Sequence, residues 1–169
     1  IREPRIRASR PRRGMSVAHL PRAASYVIGS MPFSYLVVRM VAGVDIRMHG
    51  SGNVGATNVV RNAGKLPGLL ALVLDGAKGY AAVTLAAWLT SLPQWPPLDP
   101  TGSSALHSRS FWLAFAGLVV MIGHILPVWL HFHGGKGVAT AAGVFLAIDP
   151  RATAGAALVF LIAALMTRF

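Results

Sequence analysis

The chain has 169 residues, 54% hydrophobic and only 12% charged, with 16 Lys and Arg against 5 Asp and Glu for a net charge of +11. A soluble domain carries roughly 25% charged residues, a disordered chain is more polar still, and a nucleic-acid domain spreads its basic charge over a water-facing surface. With no cysteine, disulfides, thiolate-bound zinc, iron–sulfur clusters and thiol nucleophiles are excluded, which leaves an integral membrane protein with a basic aqueous edge.

Residues 1–20 read as a basic leader. Arg2, Arg5, Arg7, Arg10, Arg12 and Arg13 stand against Glu3, so residues 1–14 contribute +5 and the remainder +6. Met15 begins a workable membrane-protein start, so the stretch before it is read as non-native or disordered; the alternative is a basic tail on anionic lipid. Residues 22–42 form a span if Arg39 snorkels to the interface, with no signal-peptide cleavage site after it. Residues 43–65, GVDIRMHGSGNVGATNVVRNAGK, form a Gly-rich loop. Residues 66–92 are long enough to cross despite Asp75 and Lys78, 93–110 are proline-rich, and 111–131 are the cleanest span. A second Gly-rich loop follows at 131–140, HFHGGKGVAT. Residues 137–148 are a short tilted span or a re-entrant piece, and 152–167 are apolar and Ala-rich. Backbone in lipid must satisfy its own polar groups, so the expected fold is an all-α polytopic helix bundle, four to five membrane helices in one domain over 21–169. Two spans separate the Gly-rich loops, which places both on one side, and their basic residues put that side in the cytoplasm.

Three clusters carry chemistry. Gly50-Ser51-Gly52-Asn53-Val54-Gly55 has the outline of a dinucleotide fingerprint, but that motif needs a βαβ unit, and Asp75 lies in a helical run. The loop also has the materials of a phosphate cradle. Glycines let amides approach an anion; Ser51, Asn53, Thr57 and Asn58 are small and polar; Arg47 and Arg61 flank them and Lys65 closes the loop. An ordinary turn-rich loop with solvated charges has the same composition. In the second loop Gly137 follows the lysine, so it is not a Walker A motif. Gly134, Gly135, Lys136 and Gly137 would still bring amides and a cation to the N-terminus of a helix over 138–148; the alternative is a flexible interfacial turn. Asp75 and Lys78 share a helix face. Charges are costly inside a membrane, so they face protein or a polar cleft, as an ion pair or as substrate contacts. His124 is alone in an apolar span, where ionisable groups mark function. His124, His131 and His133 have poor spacing and no carboxylate near them in sequence, so neither a metal nor a cofactor is read. Trp88, Trp95, Trp112 and Trp129 fit interfacial belts.

Together these residues resemble the acyl-phosphate:glycerol-3-phosphate acyltransferase family, the PlsY-type membrane enzymes of bacteria, over most of 26–169. Tyr26-Val27-Ile28-Gly29-Ser30-Met31-Pro32-Phe33 is similar to the family's first helix. Asp45-Ile46-Arg47 with the run from Gly50 to Asn58 is similar to its first signature, and Asp75-Gly76-Ala77-Lys78-Gly79 to its D-x-x-K-G signature. Gly123-His124-Ile125-Leu126-Pro127, through Phe132 to Gly134-Gly135-Lys136-Gly137-Val138-Ala139-Thr140, resembles the third. The chain departs from the pattern at His133, where the family usually has Lys, and in the arginine leader. It also ends at Arg168-Phe169, where the family continues with a Ser-rich loop and further apolar sequence.

The resemblance implies transfer of a fatty acyl group from acyl phosphate to the 1-hydroxyl of glycerol-3-phosphate. The products are lysophosphatidate and phosphate, in phospholipid synthesis at the bacterial inner membrane. The implied partners are those two substrates and membrane lipid, with no nucleic acid. Ser51 and His124 are the expected catalytic residues. Arg47, Gly50, Gly52, Asn53, Gly55, Thr57, Asn58, Lys65, Asp75, Lys78, Gly134, Gly135, Lys136, Gly137 and Thr140 are the expected binding residues. The chemistry suits two basic Gly-rich loops: both substrates carry phosphate, and a mixed anhydride needs little beyond positioning and electrostatics. The alternative is a small anion or phosphate transporter that uses the same basic cleft for passage without chemistry.

Overall fold

The computed structural model describes residues 20–93, 95 and 108–167; the arginine leader up to residue 19, most of the proline-rich stretch and Arg168-Phe169 lie outside them. All regular structure among the described residues is helical. The helices are α1 (Leu20–Ser30), α2 (Phe33–Ala42), α3 (Ala56–Ala63), α4 (Lys65–Leu89), α5 (Arg109–Ile125), α6 (Val138–Ile148) and α7 (Pro150–Thr167). Short 3₁₀ turns stand at Ile46–Met48 and Val128–Leu130. Four stretches are long and apolar enough to cross a membrane: Leu20–Ala42, Lys65–Leu89, Arg109–Leu130 and Pro150–Thr167. Helix α6 is shorter; at about 1.5 Å per residue it reaches roughly half of a 30 Å hydrocarbon core. The chain is thus an all-α membrane bundle, with four candidate spans and the shorter helices α3 and α6 among the described residues.

Two elements differ from the expectation. The first span is broken, because Pro32 lacks an N–H and forces the residue before it out of the helical region. Helix α1 stops at Ser30 and α2 begins at Phe33, and the Met31 carbonyl at the break accepts from Phe33 N at 3.1 Å. The loop over 43–65 holds α3, eight residues bracketed by Gly55 and Gly64.

The bundle closes through its smallest residues. Lipid offers no hydrophobic drive between helices, so association favours side chains small enough for backbones to touch. Between α4 and α6, a Cβ on Gly143 would collide with the Gly76 carbonyl oxygen, and one on Gly79 with the Thr140 carbonyl oxygen. Between α1 and α5, Gly29 lies against the Val120 backbone and Gly123 against the Tyr26 carbonyl. The large apolar side chains turn outward: Leu69, Leu70, Leu72 and Val73 of α4 are exposed, and α7 buries none of its residues.

An aromatic cluster closes the end where α4 stops and α5 starts. Trp95 and Trp112 meet edge-on at 5.1 Å, Phe111 and Phe115 stack beside them, and the Arg22 guanidinium lies 5.3 Å from the Trp112 ring centre. Only Trp88 and Trp129 are exposed as belt residues would be; Trp95 and Trp112 are buried. The interfacial reading thus fits two tryptophans, and the other two are core.

The close contacts set a stability test. Gly143→Ala adds one carbon where backbone already sits, and should cost about 1–3 kcal/mol by overpacking. Gly155→Ala on α7 meets open space and should be neutral or slightly stabilising. Thermal unfolding in detergent compares them, and equal effects would contradict the packing described.

Candidate active site

The site is organised by a buried ion pair. Asp75 and Lys78 share one face of α4, and their side chains are each 3% exposed, with Lys78 Nζ 2.8 Å from Asp75 Oδ1. Burying two charges is costly unless their remaining polar capacity is met. Lys78 Nζ donates to the Met31 carbonyl, at the break between α1 and α2, at 2.8 Å. Ser34 Oγ, in the first turn of α2, donates to Asp75 Oδ2 at 2.8 Å. On the other side, His124 Nδ1 of α5 lies 3.7 Å from Asp75 Oδ1 and 3.2 Å from Thr140 Oγ1 of α6. One carboxylate thus ties together the α1–α2 break, α4, α5 and α6. Ser34 is absent from the sequence-predicted set; the available signal was a polar residue two positions past Pro32 in an apolar span.

Above the ion pair the two Gly-rich loops face each other and enclose two polar cavities. The inner cleft, about 210 Å³, is lined by Asn53, Gly55, Ala56, Thr57, Asp75, His124, Lys136, Gly137, Val138 and Ala139, among others. Two helix N-termini open onto it. In α3 the first helical bond runs from Asn58 N to the Gly55 carbonyl, and in α6 from Ala141 N to the Gly137 carbonyl. Amides before those bonds have no helical partner and carry the positive end of the helix dipole. No side chain caps either helix. The open cleft, about 550 Å³, is lined by Arg47, Met48, Ser51, Gly52, Asn53, His133 and Gly134. An apolar groove of about 610 Å³ runs between α4 and α6, along Leu72, Val73, Gly76, Tyr80, Ala139 and Gly143. Leu72 and Ala139 also line the inner cleft.

The individual loop residues do different jobs. Asn58 is 1% exposed. Its Nδ2 donates to the Ile46, His49 and Asn53 carbonyls, and its Oδ1 accepts from Ser51 N and Asn62 Nδ2. It is the frame of the first loop. Gly50 and Gly52 take positive φ, and a Cβ on Gly50 would strike Asn58 Oδ1. The amides of Gly134 and Gly135 donate to the Ile125 and His124 carbonyls, so both are spent on the end of α5. These glycines act through what they lack: a Cβ at Gly135 would overlap the Val54 carbonyl and His124 Nε2. Lys65 is exposed at the start of α4 and lines neither cleft. Ser51 and His124, expected together as catalytic residues, line different clefts.

Arg47 is held by its neighbour two residues back. Asp45 Oδ1 accepts from Arg47 N at 2.9 Å and Nε at 3.0 Å, Oδ2 accepts from Nη2 at 2.7 Å, and the guanidinium stands 5.6 Å from the Tyr35 ring centre. The Arg47 side-chain hydrogen bonds hold the Asp45 carboxyl below its ordinary 3.8, against a smaller opposing effect of burial.

Two outcomes follow. Lys78→Met leaves a buried carboxylate without its cation and should cost about 3–5 kcal/mol, measured by thermal unfolding; the Asp75→Asn, Lys78→Met double variant should recover part of that, and a double no better than the single would contradict the pairing. A lowered carboxyl pKa adds stability that is present above the unfolded value and lost as pH falls through the folded one. The Tm difference between wild type and Asp45→Asn should therefore hold from about pH 8 to about pH 5 and shrink only below about pH 4; shrinkage near neutrality would refute the coupling.

A glycerol-3-phosphate acyltransferase family model matches residues 20–169. A glycerol-3-phosphate acyltransferase of Myxococcus xanthus (strain DK1622) is 47% identical over 135 residues, covering 80% of this chain and 62% of that protein. The crystal structure of PlsY (YgiH), an integral membrane glycerol 3-phosphate acyltransferase, matches in its glycerol 3-phosphate form with a TM-score of 0.70 and 35% identity, over 88% of this chain and 66% of that one. The lysophosphatidic acid form matches with a TM-score of 0.68, 34% identity and 88% and 65% coverage. This chain spans less than two thirds of the length of these relatives. With the family model covering α1 through α7, the chain belongs to the glycerol-3-phosphate acyltransferase family.

Proposed function

We propose that this protein transfers a fatty acyl group from acyl phosphate to the 1-hydroxyl of glycerol-3-phosphate, giving lysophosphatidate and phosphate. The donor takes the inner cleft and the acceptor the open cleft. The observation that carries this is the sharing of walls. Asn53 belongs to both polar clefts, and Leu72 and Ala139 belong to both the inner cleft and the apolar groove. A donor with a phosphate head and a fatty tail matches the inner cleft and groove, a small water-soluble phosphate matches the open cleft, and the two meet at Asn53. A tail of about fifteen methylenes gains on the order of 12 kcal/mol by leaving water, so drawing the donor from the bilayer along α4 and α6 avoids that barrier. The basic loops, by the positive-inside rule, face the cytoplasm of the bacterial inner membrane.

The chemistry asks for position and charge. The acceptor hydroxyl oxygen attacks the acyl carbon, and the carbon–oxygen bond to phosphate breaks. Lys136, the N-terminal amides of α3 and α6, and Thr57 take the charge that accumulates on the departing phosphate. Arg47, Ser51 and Asn53 hold the acceptor's phosphate. The hydroxyl proton passes to His124 as general base. Thr140 and Asp75 flank its Nδ1, and a Cβ on Gly135 would overlap its Nε2. Asp75 and Lys78 act from beneath as the support of that histidine.

Purified protein given acyl phosphate and glycerol-3-phosphate should yield lysophosphatidate, and none with acyl-CoA as donor. His124→Ala should lower kcat about 10²–10⁴-fold. Leu72→Trp, which fills the junction of cleft and groove, should slow a long-chain acyl phosphate and spare acetyl phosphate. Product from acyl-CoA alone would overturn the donor, and phosphate flux into vesicles with no lysophosphatidate would establish the transporter instead.

A further inference from the structure

Among the described residues only His131 and Phe132 take a positive φ without being glycine, at 54° and 64°. Left-handed backbone strains a residue with a Cβ, and two in succession persist only where surrounding bonds impose them. Here Phe132 N donates to the Pro127 carbonyl at 2.9 Å, His133 N to the Leu130 carbonyl at 3.2 Å, and Gly134 N to the Ile125 carbonyl at 3.1 Å. The strained turn delivers His133 to the wall of the open cleft, among Arg47, Ser51, Gly52 and Asn53.

The ring is fixed there in one tautomer. His133 Nδ1 lies 2.6 Å from the His131 carbonyl oxygen. A carbonyl can only accept, so Nδ1 keeps its proton, and the neutral ring offers Nε2 as a lone pair. A lone pair repels a phosphate oxygen. A second proton turns Nε2 into a charged donor, and histidine changes charge between about pH 5 and pH 8.

We propose that His133 binds a phosphate monoester in the open cleft through Nε2 only as the imidazolium, so that binding takes up a proton from water. This rests on the reading that the open cleft receives glycerol-3-phosphate. The charged groups around the ring are consistent with it. Arg47 is the one other cation on the cleft wall; it comes from the 3₁₀ turn Ile46–Met48, and its counter-charge Asp45 is already engaged by it. The other titratable group in the turn is His131, which contributes its carbonyl. No carboxylate lines the cleft among the described residues. The two negative charges of a bound phosphate would compensate a second positive charge beside Arg47.

The test compares wild type with His133→Gln and His133→Lys. Calorimetric binding of glycerol-3-phosphate at pH 7.5, in two buffers of different ionisation enthalpy, reads proton uptake directly; steady-state assays over pH 6 to 8.5 read KM and kcat. The ligand's own second ionisation, near pH 6, is common to all three proteins and cancels in the comparison. Wild type should take up more protons than His133→Gln, by at most about a third of a proton for a fivefold preference. Its KM should match that of His133→Lys at low pH and rise about fivefold above it at high pH, where it converges on His133→Gln, with kcat unchanged. Equal proton uptake in wild type and His133→Gln, with parallel KM profiles, would overturn the inference while leaving acyl transfer intact. His133-dependent proton uptake in a protein that forms no lysophosphatidate would support the inference and refute the proposed reaction.

Discussion

A carboxylate and an ammonium lie side by side in a segment that crosses a membrane, and the surrounding bundle is arranged to satisfy them. Asp75 and Lys78 are tolerable there because each finds further partners: the Met31 carbonyl and Ser34 at the α1–α2 break, and His124 beyond them. The dependence runs both ways. Pro32 breaks the first span, and the Met31 carbonyl at the break accepts from both Phe33 N and Lys78 Nζ. The ion pair fixes the angle of the first span, and the first span stabilises the ion pair. With α1, α2, α4, α5 and α6 joined at one point, His124 sits on a rigid floor below the loops.

The two polar clefts above that floor differ in origin. The inner one is made of helix ends, whose dipoles and unbonded amides exist because α3 and α6 start there without side-chain caps. Beside those amides, Asp75, His124 and Lys136 line it. The open one presents side chains, Arg47, Ser51, Asn53 and His133 among them. On the proposed reaction, the lipid-borne reactant would meet the helix ends and the water-borne one the side chains of the open cleft.

Much of this was legible in the residues. Apolar runs gave the spans, because period and length are dictated by hydrocarbon thickness. The spacing of Asp75 and Lys78 placed them on one face. Their other partners were not legible, since Met31, Ser34 and His124 are brought in only by tertiary packing. Helix α3 escaped because eight residues, half of them polar, between glycines look like loop, and what holds them is the buried pair Asn58 and Val59. The roles of Gly134 and Gly135 also needed coordinates: sequence suggests free amides, whereas both are consumed by the end of α5. Trp95 and Trp112 match a belt by position, yet they pack on each other. The split of Ser51 and His124 between two clefts could not be read from spacing, because the loops meet across a fold of the chain.

The backbone contacts between α4 and α6 and between α1 and α5 invert the usual map of evolutionary tolerance. In a water-soluble protein the large buried side chains are the ones that drift least. Here the bulky residues point at lipid, where one hydrocarbon surface substitutes for another. The positions under constraint are those with almost no side chain. Sequence drift in this bundle should therefore collect on leucines, valines and phenylalanines, and the record of its architecture should survive as a sparse pattern of glycines.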